Sequence, residues 1–316
     1  MTQVAKTKWT QKDLLGLRDL SVDEIELILD TAKSFSEVSQ REVKKVPVLR
    51  GKTVVNLFLE PSTRTRVSFE LAEKRLSADT ISMASGGSSM TKGESLWDTI
   101  ANIEALKVDI IVMRHGSSGA PHRISNYTKC GIVNAGDGIN EHPTQGLLDM
   151  FTLREIKGKI KGLKVVFVGD ILHSRVARSN IWGLTKLGAE VVLCGPKTLI
   201  PWGIQELGVK VVHDVKKALD GADAVTLLRI QMERQNETLF PSIREYASTF
   251  GMNSELFKCA KPDAILMHPG PVNRGVEIEG ALADSSQSYI LKQVTNGIAV
   301  RMAVLYLLSG ALKDEK

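Results

Sequence analysis

Short runs of branched and aliphatic residues recur along the chain: Val54–Leu59, Thr80–Met83, Ile110–Arg114, Ile132–Asn134, Val165–Val168, Val191–Cys194, Val209–Val212, Ala224–Leu228 and Ile265–Met267. Several lack polar alternation, which is how strands covered on both faces of a parallel sheet read. Between them the apolar positions take a helical period, predicting helices over Thr65–Leu76, Leu96–Leu106, Thr144–Ile156 and Arg178–Leu187. Strands and helices in alternation predict an α/β fold. A Lys- and Gly-rich stretch, residues 155–163, then precedes a fresh strand. The expected architecture is two doubly wound domains, each with a parallel sheet flanked by helices: residues 1–156 and residues 157–290. The remainder, 291–316, completes a long amphipathic pattern (Ile290, Val294, Ile298, Met302, Leu305, Leu308) with no strand after it. That C-terminal helix is expected to pack back across the domain boundary onto the first domain.

Composition narrows the class. A length of 316 residues has room for two domains of ordinary size. The net charge of +5 comes from 41 basic against 36 acidic residues, a mild excess that suits small anionic substrates. It falls short of a clustered basic face, and aromatic residues are only 5%, so no nucleic-acid partner is expected. Cys130, Cys194 and Cys259 are far apart and form no C-x-x-C pair, which points to a reduced, cytoplasmic compartment and to no metal site. The first eleven residues lack an apolar signal core, and no run approaches the roughly 18–20 residues needed to span a bilayer. No membrane partner is expected.

In open α/β sheets ligands bind beyond the carboxyl ends of the strands, so the residues there carry the functional question. After the first strand the chain reads Glu60-Pro61-Ser62-Thr63-Arg64-Thr65-Arg66, with Ser62 in position to cap a helix. Hydroxyls and guanidinium groups at a strand-to-helix turn, with free N–H groups and the helix dipole, make a phosphate site. Other strand ends bring Arg114 and His115; His142, Thr144 and Gln145; Asp170, His173 and Arg175; Arg229 and Gln231; and His268-Pro269-Gly270-Pro271. Arginine pairs bidentately with phosphate or carboxylate, while neutral His and Gln can bond a carbonyl oxygen as it gains charge. No nucleophile elbow, P-loop or zinc-protease motif is present, and Val168-Gly169-Asp170 lacks the G-x-G-x-x-G of a dinucleotide site. The stretch Ser85–Ser95 is polar and Gly-rich, a candidate lid whose Ser88 and Lys92 would meet an anionic substrate. His122 and His213 read as surface residues, His115 as a packed neighbour of Arg114, and His268 as a structural hydrogen-bonder.

Ser62-Thr63-Arg64-Thr65-Arg66 resembles the carbamoyl-phosphate signature of the transcarbamylase family. Met113-Arg114-His115, His142-Pro143-Thr144-Gln145 and His268-Pro269-Gly270-Pro271 follow in the family's order, and the likeness spans about residues 10 to 310. The lid and Arg229-Ile230-Gln231 resemble its aspartate-using branch; the ornithine branch carries a His-Cys-Leu-Pro segment where this chain has His268-Pro269-Gly270-Pro271. The resemblance implies transfer of a carbamoyl group from carbamoyl phosphate to the α-amine of L-aspartate, a step of pyrimidine biosynthesis, with no cofactor. It implies that Ser62, Thr63, Arg64, Thr65 and Arg114 hold the phosphate. Arg114, His142 and Thr65 would polarise the carbonyl, and Gln145 with the Gly270–Pro271 main chain would hold the carbamoyl nitrogen. Arg175 and Arg229 would clamp the aspartate carboxylates, helped by Gln231 and Lys92. Ser88 and Lys92 would come from a neighbouring subunit, implying a homotrimer. Partnership with a regulatory chain or another pathway enzyme stays open. The competing readings are transfer to another amino acid such as ornithine, or a non-catalytic phosphate-binding homologue.

Overall fold

The computed structural model describes residues 8–84, 94–230 and 242–311. The chain forms two compact units, residues 1–147 with 296–316, and residues 148–295.

The first unit opens with α1 (Val22–Gln40), β1 (Thr53–Phe58), α2 (Thr63–Leu76), β2 (Asp79–Ala84) and α3 (Leu96–Ala105). β3 (Ile110–His115), α4 (Ala120–Ser125), β4 (Gly131–Asp137) and α5 (Pro143–Lys157) follow. Its sheet has the order β2-β1-β3-β4 and is parallel throughout. β4 is buried along all seven residues and β1 from Val54 to Phe58, as expected of strands covered on both faces. No element was expected before Val54, yet α1 is well signalled: Ser21 accepts from the Glu24 N–H while Glu24 bonds back to the Ser21 N–H, a capping box. From Asn296 onward the last helix belongs to this unit. Arg301, 4% exposed, donates to Ser68 on α2 (2.9 Å) and lies over the Phe69 ring, and Tyr306 meets Phe35 edge-on.

The second unit contains β5 (Lys164–Val168), α6 (Arg175–Lys186), β6 (Glu190–Cys194), β7 (Lys210–Val211), α7 (Val215–Leu219) and β8 (Ala224–Leu227). It continues with α8 (Ile243–Phe250), α9 (Ser254–Phe257), β9 (Ile265–Met267), α10 (Gly280–Ala283) and the start of α11 (Ile290–Ala311). Its sheet, also parallel, has the order β7-β6-β5-β8-β9. The division between units falls inside α5, between Leu147 and Leu148, and not in the Lys- and Gly-rich stretch. The reason is packing. The later part of α5 is tied to second-unit elements through Lys157–Asp263 (2.8 Å) and Glu155–Lys292 (2.8 Å); the turn at residues 161–162 is closed by Leu163 N–H on Ile160 O (3.1 Å) and tied by Gly162 N–H to Gly188 O (2.9 Å).

The two sheets share a register device. Asp109, just before β3, accepts the Thr53 N–H that opens β1 (2.9 Å) and pairs with Lys52; Asp223, just before β8, accepts the Lys164 N–H that opens β5 (2.8 Å) and pairs with Lys261. In each case the aspartate N–H returns a bond to the same residue's carbonyl.

One buried carboxyl in the first unit titrates near neutrality. Glu73 on α2 is fully buried, and burial pushes it up to about 7, tempered by the Asn56 amide that donates to it at 2.8 Å. Its folded value lies above its ordinary 4.5, so the fold binds an extra proton in between; that contribution is complete below about 4.5 and lost as the pH rises through about 7. Glu73→Gln removes the buried charge. It is expected to stabilise the protein by on the order of 2–3 kcal/mol at pH 8, with the gain shrinking towards pH 5. Urea denaturation at the two pH values checks this; an equal gain at both contradicts it.

Candidate active site

Each sheet has one place where the order of connection reverses, and loops diverge there to leave a crevice. In the first unit β1 lies between β2 and β3, and the chain leaves it towards β2 before reaching β3 on the other side. Ser62–Thr65 follow β1, and Arg114 is the penultimate residue of β3. Phe58 is the register partner of Arg114, and the Leu59 N–H donates to the Arg114 carbonyl (2.9 Å), so the pairing itself brings the Ser62 turn beside Arg114.

Ser62 occupies the N-cap position of α2 but its side chain makes no capping bond, and the first turn holds no acidic residue. The expected cap is therefore a cap by position only. Ser21, Ser95, Ser174 and Ser242, by contrast, all accept from the first turns of their helices. α2 thus presents N–H groups and a positive dipole end next to Arg64 and the buried Thr65, an arrangement suited to an anion.

Arg114 is 8% exposed and anchored at both ends of its fork: Nη2 donates to Glu60 Oε1 (2.6 Å) and Nη1 to the Ala135 carbonyl (3.1 Å). That carbonyl is available because the register of β3 and β4 shifts between Met113 and His115, so that Ala135 and Gly136 (φ 113°) together face Arg114. Such bulges re-aim groups at sites. Glu60 was not singled out in the sequence, although an acidic residue between a strand end and Pro61 was the available signal.

His142 precedes α5 and accepts the Gln145 N–H at its carbonyl (2.9 Å), with Pro143 opening the helix. His142 and Gln145 are 5% and 9% exposed. The loop before them is fixed by two carboxylates: Asp137 accepts from Gly119 N–H (2.6 Å) and Glu141 N–H (3.1 Å), and Glu141 accepts from Leu17 N–H (2.8 Å). These bonds fix the main chain that leads into His142. Neither residue was anticipated, since Gly119 and Leu17, the partners that tie this loop to the rest of the unit, are remote in sequence.

In the second unit the reversal lies between β5 and β8. Arg175 is the first residue of α6, 5% exposed, behind a Ser174 cap, and Arg229, half-buried, follows β8. His173 Nδ1 lies 2.9 Å from Asp170, which is fully buried, so His173 shapes the loop ahead of Arg175. Tyr246 packs beneath this end; burial, with Glu277, Asp170 and Cys194 nearby, pushes its phenol well above the ordinary range. At the end of β9, His268 Nδ1 accepts the Gly270 N–H (2.8 Å), which leaves Nε2 to donate to Glu277 (3.2 Å), a structural role. Gly270 has φ 66°. Ser88, Lys92 and Gln231 lie outside the described residues. Among the described residues no group of three or more His, Cys, Asp or Glu is placed to hold a metal ion, and no helix is long and apolar enough to cross a membrane.

Two groups of cationic and hydrogen-bonding residues, each at a strand-order reversal, fit an α/β enzyme that handles acidic substrates. The family models agree: one described as the carbamoyl-P binding domain of aspartate/ornithine carbamoyltransferase matches residues 12–155, and the Asp/Orn binding domain matches residues 161–308. The chain belongs to the aspartate/ornithine carbamoyltransferase family. It is 58% identical over 304 residues to the aspartate carbamoyltransferase catalytic subunit of Syntrophus aciditrophicus, covering 96% of this chain and 99% of that one. The catalytic subunit from Geobacter sulfurreducens is 59% identical over 300 residues, covering 95% and 96%. Among solved structures, aspartate transcarbamoylase from Trypanosoma cruzi in complex with carbamoyl phosphate and aspartate aligns with a TM-score of 0.86 at 26% identity, over 96% of this chain and 99% of that one. Ornithine carbamoyltransferase from Pyrococcus furiosus aligns with a TM-score of 0.84 at 34% identity, over 96% and 99%.

The second reversal demands a glycine. Gly169 has φ 133°, and a Cβ there would lie 2.8 Å from the Leu228 carbonyl and 3.1 Å from the Tyr246 hydroxyl. Gly169→Ala is expected to cost about 2 kcal/mol, because both the backbone conformation and the close approach forbid a side chain. Chemical denaturation measures this, and an unchanged midpoint contradicts it.

Proposed function

We propose that this chain transfers the carbamoyl group of carbamoyl phosphate to the α-amine of L-aspartate, giving N-carbamoyl-L-aspartate and phosphate. The observation that carries the reading is the pairing of chemistry with topology. The first reversal bears an uncapped helix N-terminus with Arg114 and, nearby in the same unit, the rigidly approached His142; the second bears two arginines, Arg175 and Arg229. The names of the relatives at about this length support the same substrate pair.

Ser62, Thr63, Arg64 and Thr65 bind the phosphate, with Arg114 shared between a phosphate oxygen and the carbamoyl oxygen. His142 and Thr65 stabilise the carbamoyl oxygen as it becomes an oxyanion, and Gln145 with the Gly270–Pro271 main chain holds the carbamoyl nitrogen. Arg175 and Arg229 take the two carboxylates of aspartate, with Gln231 and Lys92 assisting. The neutral amine attacks the carbamoyl carbon, the tetrahedral oxyanion collapses, the C–O bond to phosphate breaks, and the departing phosphate takes the amine proton. Catalysis then rests on positioning and on stabilising the developing charge. A cytoplasmic homotrimer in which Ser88 and Lys92 serve a neighbouring copy's site belongs to the same proposal, on the strength of the motif resemblance.

Carbamoyl transfer to aspartate against ornithine tests the substrate assignment: two arginines favour the dicarboxylate, and preferential transfer to ornithine contradicts the reading. His142→Ala is expected to lower kcat by on the order of 10²–10³, the usual cost of one oxyanion donor, and Arg114→Ala by more. A His142→Ala enzyme with near-normal turnover removes His142 from this role.

A further inference from the structure

Residues 287–289 run beside β9, with Leu266 N–H donating to Gln287 O and Tyr289 N–H to Leu266 O (both 2.8 Å), and they feed directly into α11. This places Gln293, one turn into α11 and 2% exposed, against the end of β9. Its Oε1 accepts the main-chain N–H of His268 (2.9 Å) and its Nε2 donates to Asp149 Oδ1 (2.7 Å). The amide orientation follows from chemistry, because a main-chain N–H can only donate and a carboxylate can only accept. Asp149 is fully buried on α5, and its other oxygen accepts the Asn180 amide (2.8 Å) from α6, the helix that begins at Arg175. All four residues lie in the second unit.

We propose that Gln293 is a positioning residue for the His268–Pro271 turn, gripping it by the His268 N–H and held in its own orientation by Asp149. This rests on the reading that the Gly270–Pro271 main chain meets the carbamoyl group. His268 is bound forward to Gly270 and sideways to the buried Glu277, which accepts the Asn273 N–H (2.6 Å) and whose carbonyl accepts the Met252 N–H (3.0 Å). Gln293 adds a tie from the main chain of the turn to a helix. Glutamine supplies one acceptor to the turn and one donor to a buried carboxylate at any pH, whereas a glutamic acid of the same length does so only while protonated. The titratable groups around it are Asp149 on α5, His268 with Glu277 behind it, and the Glu155–Lys292 pair next along the helix.

Gln293→Glu is the test, because the replacement keeps the shape and exchanges the donor for a group that must borrow a proton. While protonated, the new acid can bond Asp149 and still accept from His268. Once the proton leaves, two buried carboxylates face each other and the turn is pushed away. Compared with wild type at each pH, the variant is expected to show a near-normal carbamoyl-phosphate KM at pH 6. At pH 9 that KM should rise by on the order of tenfold, with a smaller change in kcat. Gly270→Ala, which disturbs the turn directly, is run beside it and is expected to raise the same KM at both pH values. If Gly270→Ala raises KM while Gln293→Glu tracks wild type, the positioning role is wrong and the carbamoyl contact stands. If neither moves KM, the contact itself is wrong and the positioning role falls with it. A lowered melting temperature with unchanged KM, or a KM rise equal at both pH values, also overturns the inference.

Discussion

The site depends on one pairing in each sheet: the central strand against the strand that lies across the reversal of order, β1 with β3 and β5 with β8. The pairing is pinned at its base by a carboxylate, Asp109 on the Thr53 N–H and Asp223 on the Lys164 N–H. At its far end it delivers Arg114 beside the Ser62 turn, and Arg229 beside the loop that leads to Arg175. A slip of one residue would turn every side chain of the strand to the other face. The register therefore determines whether a cationic side chain reaches the crevice at all. Folding and function meet at that pair of strands.

Around this frame, two departures from local rules fall where a ligand is expected. Ser21, Ser95, Ser174 and Ser242 cap their helices through their side chains, while Ser62, in the same position on α2, does not. A missing cap forgoes about 1 kcal/mol of helix stability. A helix N-terminus without a side-chain cap suits an anion. The shift of register beside Arg114 is a second local exception, and it serves to aim the Ala135 carbonyl at the guanidinium. Sequences depart from local consistency mainly at functional positions, and both departures here fall at the first reversal.

Much of the fold was legible along the chain. All nine apolar runs became strands; the central ones, runs of Val, Ile and Leu buried on both faces of a parallel sheet, carry a strong and local signal, while the edge strands β2 and β7 are more exposed. α1 was missed even though Ser21 and Glu24 spell its capping box, since its amphipathic pattern lies in a polar N-terminal stretch. The expected junction at 156/157 lies between the two family-domain matches, residues 12–155 and 161–308, whereas the compact units divide within α5, whose later residues pack on second-unit elements. Candidate site residues such as Arg114, His142 and Arg175 were visible as polar groups at strand ends. The residues that brace the surrounding loops were not: Glu60 on Arg114, Asp137 on Gly119, Glu141 on Leu17 and Gln293 on His268 act on partners that only the folded chain brings near.

The central claim is that one reversal handles the phosphate end of the reaction and the other the dicarboxylate end, with both substrates bound at once. The most direct measurement is calorimetric titration with a single compound that joins a phosphonate to an aspartate dicarboxylate, compared with phosphate and with succinate alone. The account predicts that the joined compound binds far more tightly than either part, as expected when one molecule engages two subsites. It also predicts that Arg114→Ala and Arg229→Ala each remove most of that advantage while sparing the binding of the part the lost arginine does not serve. A joined compound that binds no better than phosphate would contradict it.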